Sequence, residues 1–136
     1  MPEAARPPAA LLESARALLS RSSAPYSRFR VAALIESQDG ATHPGVNVES
    51  ASYGLSICAE RNALFGALAR GAASFRRLAL VSETMRPVLP CGACRQVLLE
   101  HAPDLTLLVE RADGSPEEIP LAGLLPRPFM EFRTKP

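Results

Sequence analysis

The sequence has no long uncharged apolar run and few aromatic residues. Glu13 and Arg16 interrupt the first apolar stretch, and no later window approaches the length of a membrane span. The 15 basic and 14 acidic residues are scattered, the net charge is +1, and aromatic residues make up 5% of the chain. A nucleic-acid binder needs a clustered basic surface and rings on which bases stack. The sequence therefore predicts a cytoplasmic protein with no membrane or nucleic-acid partner.

Cysteine is also scarce, and its count is odd. The chain has three, Cys58, Cys91 and Cys94. An odd count leaves one thiol unpaired in any disulfide framework, and the cytosol keeps thiols reduced. The thiols are therefore expected to serve metal binding or catalysis.

The length and the apolar content predict a single domain over residues 1–136. The 136 residues are 47% hydrophobic, which is enough to fill one core. Helical and strand periodicities alternate in the order α-β-β-α-β-α-β-β, and Asp39-Gly40 predicts a hairpin between the first two strands. This alternation is typical of the α/β class, here a three-layer α/β/α fold with a mixed five-stranded sheet.

The positions of the cysteines predict a catalytic zinc site. Cys58 is expected at the start of the second helix, which should end near Gly71, and Cys91 and Cys94 at the start of the third. Residues three apart share a helix face, and the positive end of the helix dipole favours thiolate over thiol. Three ligands leave the fourth zinc position open to a water, as in catalytic rather than structural sites.

Two neighbours of Cys58 fit this chemistry. Glu60 lies in the first turn of the same helix, where its carboxylate can exchange a proton with that water without binding the metal. Arg61 can donate hydrogen bonds to the ligand sulfurs and offset their negative charge. The alternatives are ordinary: Glu60 as a first-turn acid, Arg61 as a surface cation, and the cysteines as small buried apolar side chains.

The paired motifs "CAER" at 58–61 and "PCGACRQV" at 90–97 resemble those of the short, homotetrameric zinc-dependent cytidine deaminases. The resemblance extends from "APYSRFRVAAL" through "GVNVESASYGLSICAERNALF" to "LLPRPF". It implies hydrolytic deamination of cytidine and deoxycytidine to uridine and deoxyuridine in pyrimidine salvage, with one zinc ion per subunit and Glu60 as the proton relay. The sequence departs from the family pattern at Ala32 and Asn62, where glycine and threonine are common.

The same resemblance implies the substrate contacts. Asn47 and Glu49 of "NVES" should hold the ribose 3′-hydroxyl, Phe29 should line the pyrimidine pocket, and Ala59 should also contact the substrate. A free base would leave the buried amide and carboxylate unpaired, so nucleosides should be preferred over cytosine. Asn47 could instead merely end a strand, and Glu49 could be solvated.

Two further aromatic residues match positions that complete a neighbouring subunit's site in the family's homotetramers. These are Tyr53 and Phe129, and their match implies that the monomer is inactive. The tail also contains Phe132, and Phe129 is favoured as the stacking ring from its distance to "LLP". Core or interface packing is the alternative for such rings.

Three rival functions differ from this hypothesis in testable ways. A deaminase of blasticidin S or a related cytosine-bearing antibiotic would share the zinc motifs, but "NVES" suits a nucleoside sugar. A polynucleotide deaminase would need a basic, aromatic-lined groove. A non-enzymatic zinc-containing domain that binds a nucleoside or a protein would have a fourth protein ligand and no turnover.

Overall fold

A five-stranded mixed sheet organises residues 5–130, the part of the chain that the computed structural model describes. The helices are α1 (Pro8–Arg16), α2 (Ala59–Ala69) and α3 (Gly92–His101). The strands are β1 (Val31–Ser37), β2 (Thr42–Val46), β3 (Phe75–Ser82), β4 (Thr106–Glu110) and β5 (Pro116–Pro120). The strand order is β2-β1-β3-β4-β5, and only β3 and β4 pair in parallel. The predicted order of elements and the mixed sheet are confirmed.

Helices cover both faces of the sheet. Every residue of β1 is buried, because successive side chains point to opposite faces and both faces are covered. Ala33 and Ile35 belong to the core beneath α2 and α3, whereas Ala32 and Leu34 belong to the core beneath α1. This arrangement is the three-layer α/β/α fold expected from the sequence. None of the helices within residues 5–130 is long and apolar enough to cross a bilayer.

The turns that connect these elements follow the sequence signals. β1 and β2 are antiparallel, with Glu36 opposite Thr42, so the Asp39-Gly40 hairpin is confirmed. Gly71 follows α2 with a φ of 91°, a left-handed conformation that favours glycine. The N–H groups of Gly71 and Ala72 donate to carbonyls of the last helical turn, both at 3.0 Å. This is the pattern of a glycine-terminated helix, and α2 ends where the sequence predicts.

β2 and α2 touch backbone to backbone at Gly45. A Cβ atom at this position would lie 2.3 Å from the Ala63 nitrogen and 2.4 Å from the Ala59 carbonyl oxygen. Those distances are far below van der Waals contact, and both neighbouring atoms are main chain, so a side chain cannot be accommodated by a change of rotamer. Glycine at 45 therefore allows α2 to pack directly on the edge strand.

The elements that carry the candidate residues meet at one end of the sheet. Val31 at the start of β1 pairs with Ser82 at the end of β3, and Ala32 pairs with Val46 at the end of β2. The chain therefore enters β1 through Phe29, and leaves β2 through Asn47, at the same end of the sheet. The segment that follows β3 starts at this end of the sheet and leads to Cys91 and α3.

Candidate active site

The three cysteine sulfurs lie together at the beginnings of α2 and α3. Cys58 immediately precedes α2, Cys91 immediately precedes α3, and Cys94 lies in the first turn of α3. The Cys58 and Cys91 sulfurs are 3.9 Å apart, those of Cys91 and Cys94 are 3.5 Å apart, and all three lie within 4.8 Å of one another. Two Zn–S bonds of about 2.3 Å at a tetrahedral angle place their sulfurs about 3.8 Å apart. The three thiols therefore fit three corners of a zinc tetrahedron.

The pKa values of the Cys58 and Cys94 thiols depend on each other. Hydrogen bonds from Cys94 and Arg61 lower the pKa of the Cys58 thiol to about 5. Donation to Cys58, together with burial, raises the pKa of the fully buried Cys94 thiol. A metal ion that binds all three sulfurs as thiolates must therefore displace the proton on Cys94.

Arg61 provides positive charge beside the sulfurs. Its Nη2 lies 3.6 Å from the Cys58 sulfur and donates to it. Its Nε is buried and has no hydrogen-bond partner within residues 5–130. The guanidinium therefore lies beside the Cys58 sulfur, where it can offset the negative charge of a thiolate.

Glu60 is buried beside the cysteines, with 4% of its surface exposed. Burial is the main cause that raises the pKa of its carboxyl to about 7, and the negative Cys58 thiolate adds to the effect. A group whose pKa lies near neutrality can both accept and donate a proton at physiological pH. The environment of Glu60 is therefore not that of a solvated first-turn acid.

One cavity of about 260 Å³ connects the cysteines with the polar residues that follow β2. Of the predicted residues, its walls include Phe29, Asn47, Glu49, Cys58, Ala59, Glu60 and Cys91. The sequence reasoning missed Val31, Ser56, Ile57, Val88 and Leu89, which also line it. Most of these missed residues are close neighbours of a predicted one along the chain, and that adjacency was the signal that could have identified them.

Asn47 is held by the segment that enters β1. Its Nδ2 donates to the Phe29 carbonyl at 2.7 Å, and its Oδ1 accepts from the Val31 N–H at 2.9 Å. The Ser22 hydroxyl donates to the same Oδ1. The amide oxygen is therefore fully occupied, and one N–H of the amide remains for a ligand.

Glu49 is held by the loop that precedes Phe29. Its Oε1 accepts the backbone N–H groups of Tyr26 and Ser27, each at 3.0 Å, and its Oε2 accepts the Ser27 hydroxyl. The Ser27 hydroxyl is the largest contribution to the lowered pKa of this carboxyl, followed by the Ser27 backbone. Glu49 is therefore an ionised hydrogen-bond acceptor at the polar end of the cavity.

Tyr53 and Phe129 lie outside this cavity. Tyr53 is 75% exposed and packs edge to face on Tyr26, with the ring centroids 6.2 Å apart. Phe129 is 65% exposed, and the Gln96 side chain bonds both its N–H and its carbonyl. Neither ring lines the cavity, although Tyr53 lines an adjoining depression that shares Glu49 and Ser56 with it. Phe132 lies outside the described residues, so the choice between Phe129 and Phe132 stays a prediction.

The sequence has clear relatives among known proteins. The profile of the cytidine and deoxycytidylate deaminase zinc-binding region matches residues 7–108. A cytidine deaminase of Halalkalibacterium halodurans is 47% identical over 106 residues, which cover 77% of this chain and 80% of that protein.

Solved structures agree with the sequence comparison. The crystal structure of cytidine deaminase from Burkholderia pseudomallei superposes with a TM-score of 0.83 at 46% identity, covering 88% of this chain and 97% of that one. The cytidine deaminase from Mycobacterium tuberculosis superposes with a TM-score of 0.77 at 37% identity, covering 88% and 94%. The fold and the arrangement of elements around the cavity are therefore those of these solved structures.

Proposed function

The chain belongs to the cytidine and deoxycytidylate deaminase family, and from that premise we propose that it hydrolyses cytidine and deoxycytidine to uridine and deoxyuridine with one zinc ion per subunit. One observation carries this proposal. A single cavity is lined by Cys58 and Cys91 of the cysteine cluster, by the buried Glu60 and by the polar pair Asn47 and Glu49. A cytosine base and its sugar have the matching polarity, because the reacting amidine and the hydroxyl groups lie at opposite ends of the nucleoside.

The metal ligands in this proposal are Cys58, Cys91 and Cys94. When bound, zinc supplies a Lewis acid that makes water a nucleophile at neutral pH. Arg61 donates to the Cys58 sulfur and so limits the negative charge that three thiolates bring to the site.

Glu60 moves the protons of the reaction. The oxygen of water forms a bond to C4, the bond from C4 to the exocyclic amino nitrogen breaks, and ammonia leaves. Glu60 takes one proton from the water and delivers it to N3, and then takes the second proton from the hydroxyl formed on C4 and delivers it to the leaving amino group. Its burial supports this role, because burial raises the pKa of the carboxyl to about 7.

The rest of the cavity binds the nucleoside. Phe29 and Ala59 line it beside the base, and Asn47 and Glu49 hold the 3′-hydroxyl of the sugar. A free cytosine would leave the charged Glu49 without its hydroxyl partner, and unpaired polar groups at a binding site lose affinity. This polar pair therefore favours nucleosides over cytosine and over antibiotics without that sugar.

The first experiment follows the ultraviolet change that accompanies conversion of cytidine to uridine. The zinc-loaded protein should turn over cytidine and deoxycytidine, and its kcat/KM for free cytosine should be lower by about 10²-fold or more, because the sugar contacts are lost. Blasticidin S is assayed alongside. Turnover of the antibiotic without turnover of cytidine would overturn the assignment of Asn47 and Glu49, and zinc-loaded protein that turns over none of the substrates would favour a non-enzymatic domain.

We also propose a homotetramer with sites shared between subunits. The exposed rings of Tyr53 and Phe129 support this, because each lies outside its own chain's cavity. Exposed large apolar side chains are typical of surfaces that become buried on association. Each ring would then close the cavity of a neighbouring subunit.

Subunit mixing tests this arrangement. Sedimentation should give a particle about four times the mass of the 14.5 kDa chain. Glu60→Gln and Phe129→Ala variants, each expected to be poorly active alone, should recover activity when unfolded together and refolded as mixed tetramers. Recovery is expected because some cavities then combine an intact Glu60 with a neighbour's intact Phe129. A monomeric particle with full activity would contradict the shared site.

The remaining proposals concern organisation and biological role. All five strands belong to one sheet, which supports a single domain over residues 1–136. We place the protein in the cytoplasm, where the reduced thiols required for zinc binding persist. We also propose that its role is in pyrimidine salvage.

A further inference from the structure

The Ser27 hydroxyl connects two residues that line the substrate cavity. It donates to Oε2 of Glu49 and accepts the backbone N–H of Phe29 at 3.0 Å. Phe29 and Glu49 both line the cavity. We propose that Ser27 is a positioning residue that orients the Glu49 carboxylate toward a sugar hydroxyl, an inference that rests on the proposed nucleoside substrate.

The hydrogen bonds already made by Glu49 leave it little freedom. A carboxylate offers about four acceptor sites. Oε1 accepts two backbone N–H groups, from Tyr26 and Ser27, and Oε2 accepts the Ser27 hydroxyl. One acceptor site remains, on Oε2, and its direction is set by the bond from Ser27. Glu49 can therefore accept one hydrogen bond from a ligand in the cavity.

Asn47 offers the complementary group. Its Oδ1 accepts from Val31 and Ser22, and one N–H of Nδ2 donates to Phe29, so a single N–H remains. One ionised acceptor beside one donor matches a single hydroxyl, which donates through its hydrogen and accepts through its oxygen. A ligand without that hydroxyl makes neither bond.

The backbone around Ser27 is also unusual. Arg28 has a φ of 58° and is the one non-glycine residue with positive φ within residues 5–130. That conformation is costly for a side chain larger than glycine and persists only where surrounding contacts hold it. It reverses the chain so that the Phe29 N–H returns to the Ser27 oxygen while the hydroxyl hydrogen points to Glu49. A serine bond to the N–H two residues on is a common local turn. The donation to Glu49 is not part of that turn, and it couples the loop to the cavity.

Loss of the Ser27 hydroxyl should therefore affect one class of ligand. Without it, Oε2 of Glu49 loses its fixed donor, and the carboxylate must be ordered when the ligand binds, which lowers affinity. Ser27 is exposed in the chain, so water competes for the bond and a moderate effect is expected. The loss of affinity should be observed only with a ligand that has the hydroxyl group that Glu49 accepts.

The test measures binding separately from turnover. In the Glu60→Gln background, calorimetry should give a Kd for cytidine about tenfold higher with Ser27→Ala, as expected for one hydrogen bond to a charged group. The Kd for 3′-deoxycytidine should change by less than about twofold. With Glu60 intact, Ser27→Ala should raise KM for cytidine and leave kcat nearly unchanged. Ser27→Thr, which keeps a hydroxyl, should restore most of the loss.

Ser23→Ala is the matched control. Ser23 is exposed, lies four residues before Ser27, and its hydroxyl makes no hydrogen bond within the described part of the chain. It should behave like the parent with both ligands. Equal weakening of cytidine and 3′-deoxycytidine by Ser27→Ala would mean that Ser27 acts only on the fold of the loop, and no weakening of either would mean that Glu49 needs no positioning. Normal cytidine binding by the Glu60→Gln protein without turnover by the parent would overturn the proposed reaction while leaving the Ser27 result valid. No cytidine binding at all would overturn both.

Discussion

Glu60→Gln should retain zinc and fold but lose deamination of cytidine, with kcat lower by about 10²- to 10⁴-fold, the usual contribution of a positioned general acid and base. Glutamine has nearly the same shape as glutamate but cannot exchange the proton. Glu60 is 4% exposed, and burial opposes its charge, so a neutral amide should not weaken the fold. The measurements are kcat for cytidine, zinc per chain and the midpoint of thermal unfolding.

A matched control separates this effect from a general loss of charge. Glu13→Gln makes the same substitution at an exposed position of α1, remote from the cysteines in the fold, and should leave activity unchanged. Retained activity in Glu60→Gln would contradict the proton relay. Loss of zinc in that variant would instead mean that the carboxylate supports the metal site, which the three sulfurs are proposed to hold without it.

Removal of a sulfur ligand should have a different signature. Cys91→Ala should lose stoichiometric zinc, because two sulfurs and water cannot hold the ion as three sulfurs do. The affinity should fall by more than the roughly 100-fold that loss of an outer hydrogen-bond partner causes. Because metal binding also contributes to folding free energy, the unfolding midpoint should fall as well. Zinc per chain after dialysis and thermal unfolding with and without added zinc measure both effects.

The neighbouring position provides the control for Cys91→Ala. Ala93→Ser changes an exposed residue of the same turn and leaves all three cysteines in place, so zinc and activity should be retained. Full zinc stoichiometry in Cys91→Ala would contradict the assignment of this cysteine as a ligand. Loss of zinc in both variants would point to the fold of the turn instead of the sulfur.

The pairing of Cys91 and Cys94 could be predicted from local rules, whereas the approach of Cys58 to them depends on how α2 packs against α3. A spacing of three places Cys91 and Cys94 on one side of a helix start, and Cys58 precedes a second helix. The sheet follows from alternation, since buried runs such as β1 and β3 need helices on both faces. These features depend on residues that are close in the sequence or on patterns that each element carries.

The polar end of the cavity could be predicted only in outline. The sequence suggested Asn47 and Glu49, but their hydrogen bonds depend on a loop more than fifteen residues away that adopts a positive φ at Arg28. No local pattern in "YSRF" predicts that Ser27 reaches Glu49. The contacts of the Tyr53 and Phe129 rings are harder still to predict from the sequence, because both rings are exposed in a single chain.

The glycine at 45 also links the strand that precedes Asn47 to the helix that carries Glu60. Gly45 lies two residues before Asn47 and brings β2 into contact with α2 at Ala59 and Ala63. Ala63 lies one helical turn after Glu60. The segments that carry Asn47 and Glu60 are therefore packed against each other main chain to main chain. In the proposed binding mode, a nucleoside spans the gap between Glu49, which would accept its hydroxyl, and Glu60, which would protonate its base. A residue with no side chain to contact the substrate would thus help to fix the spacing of the groups that do.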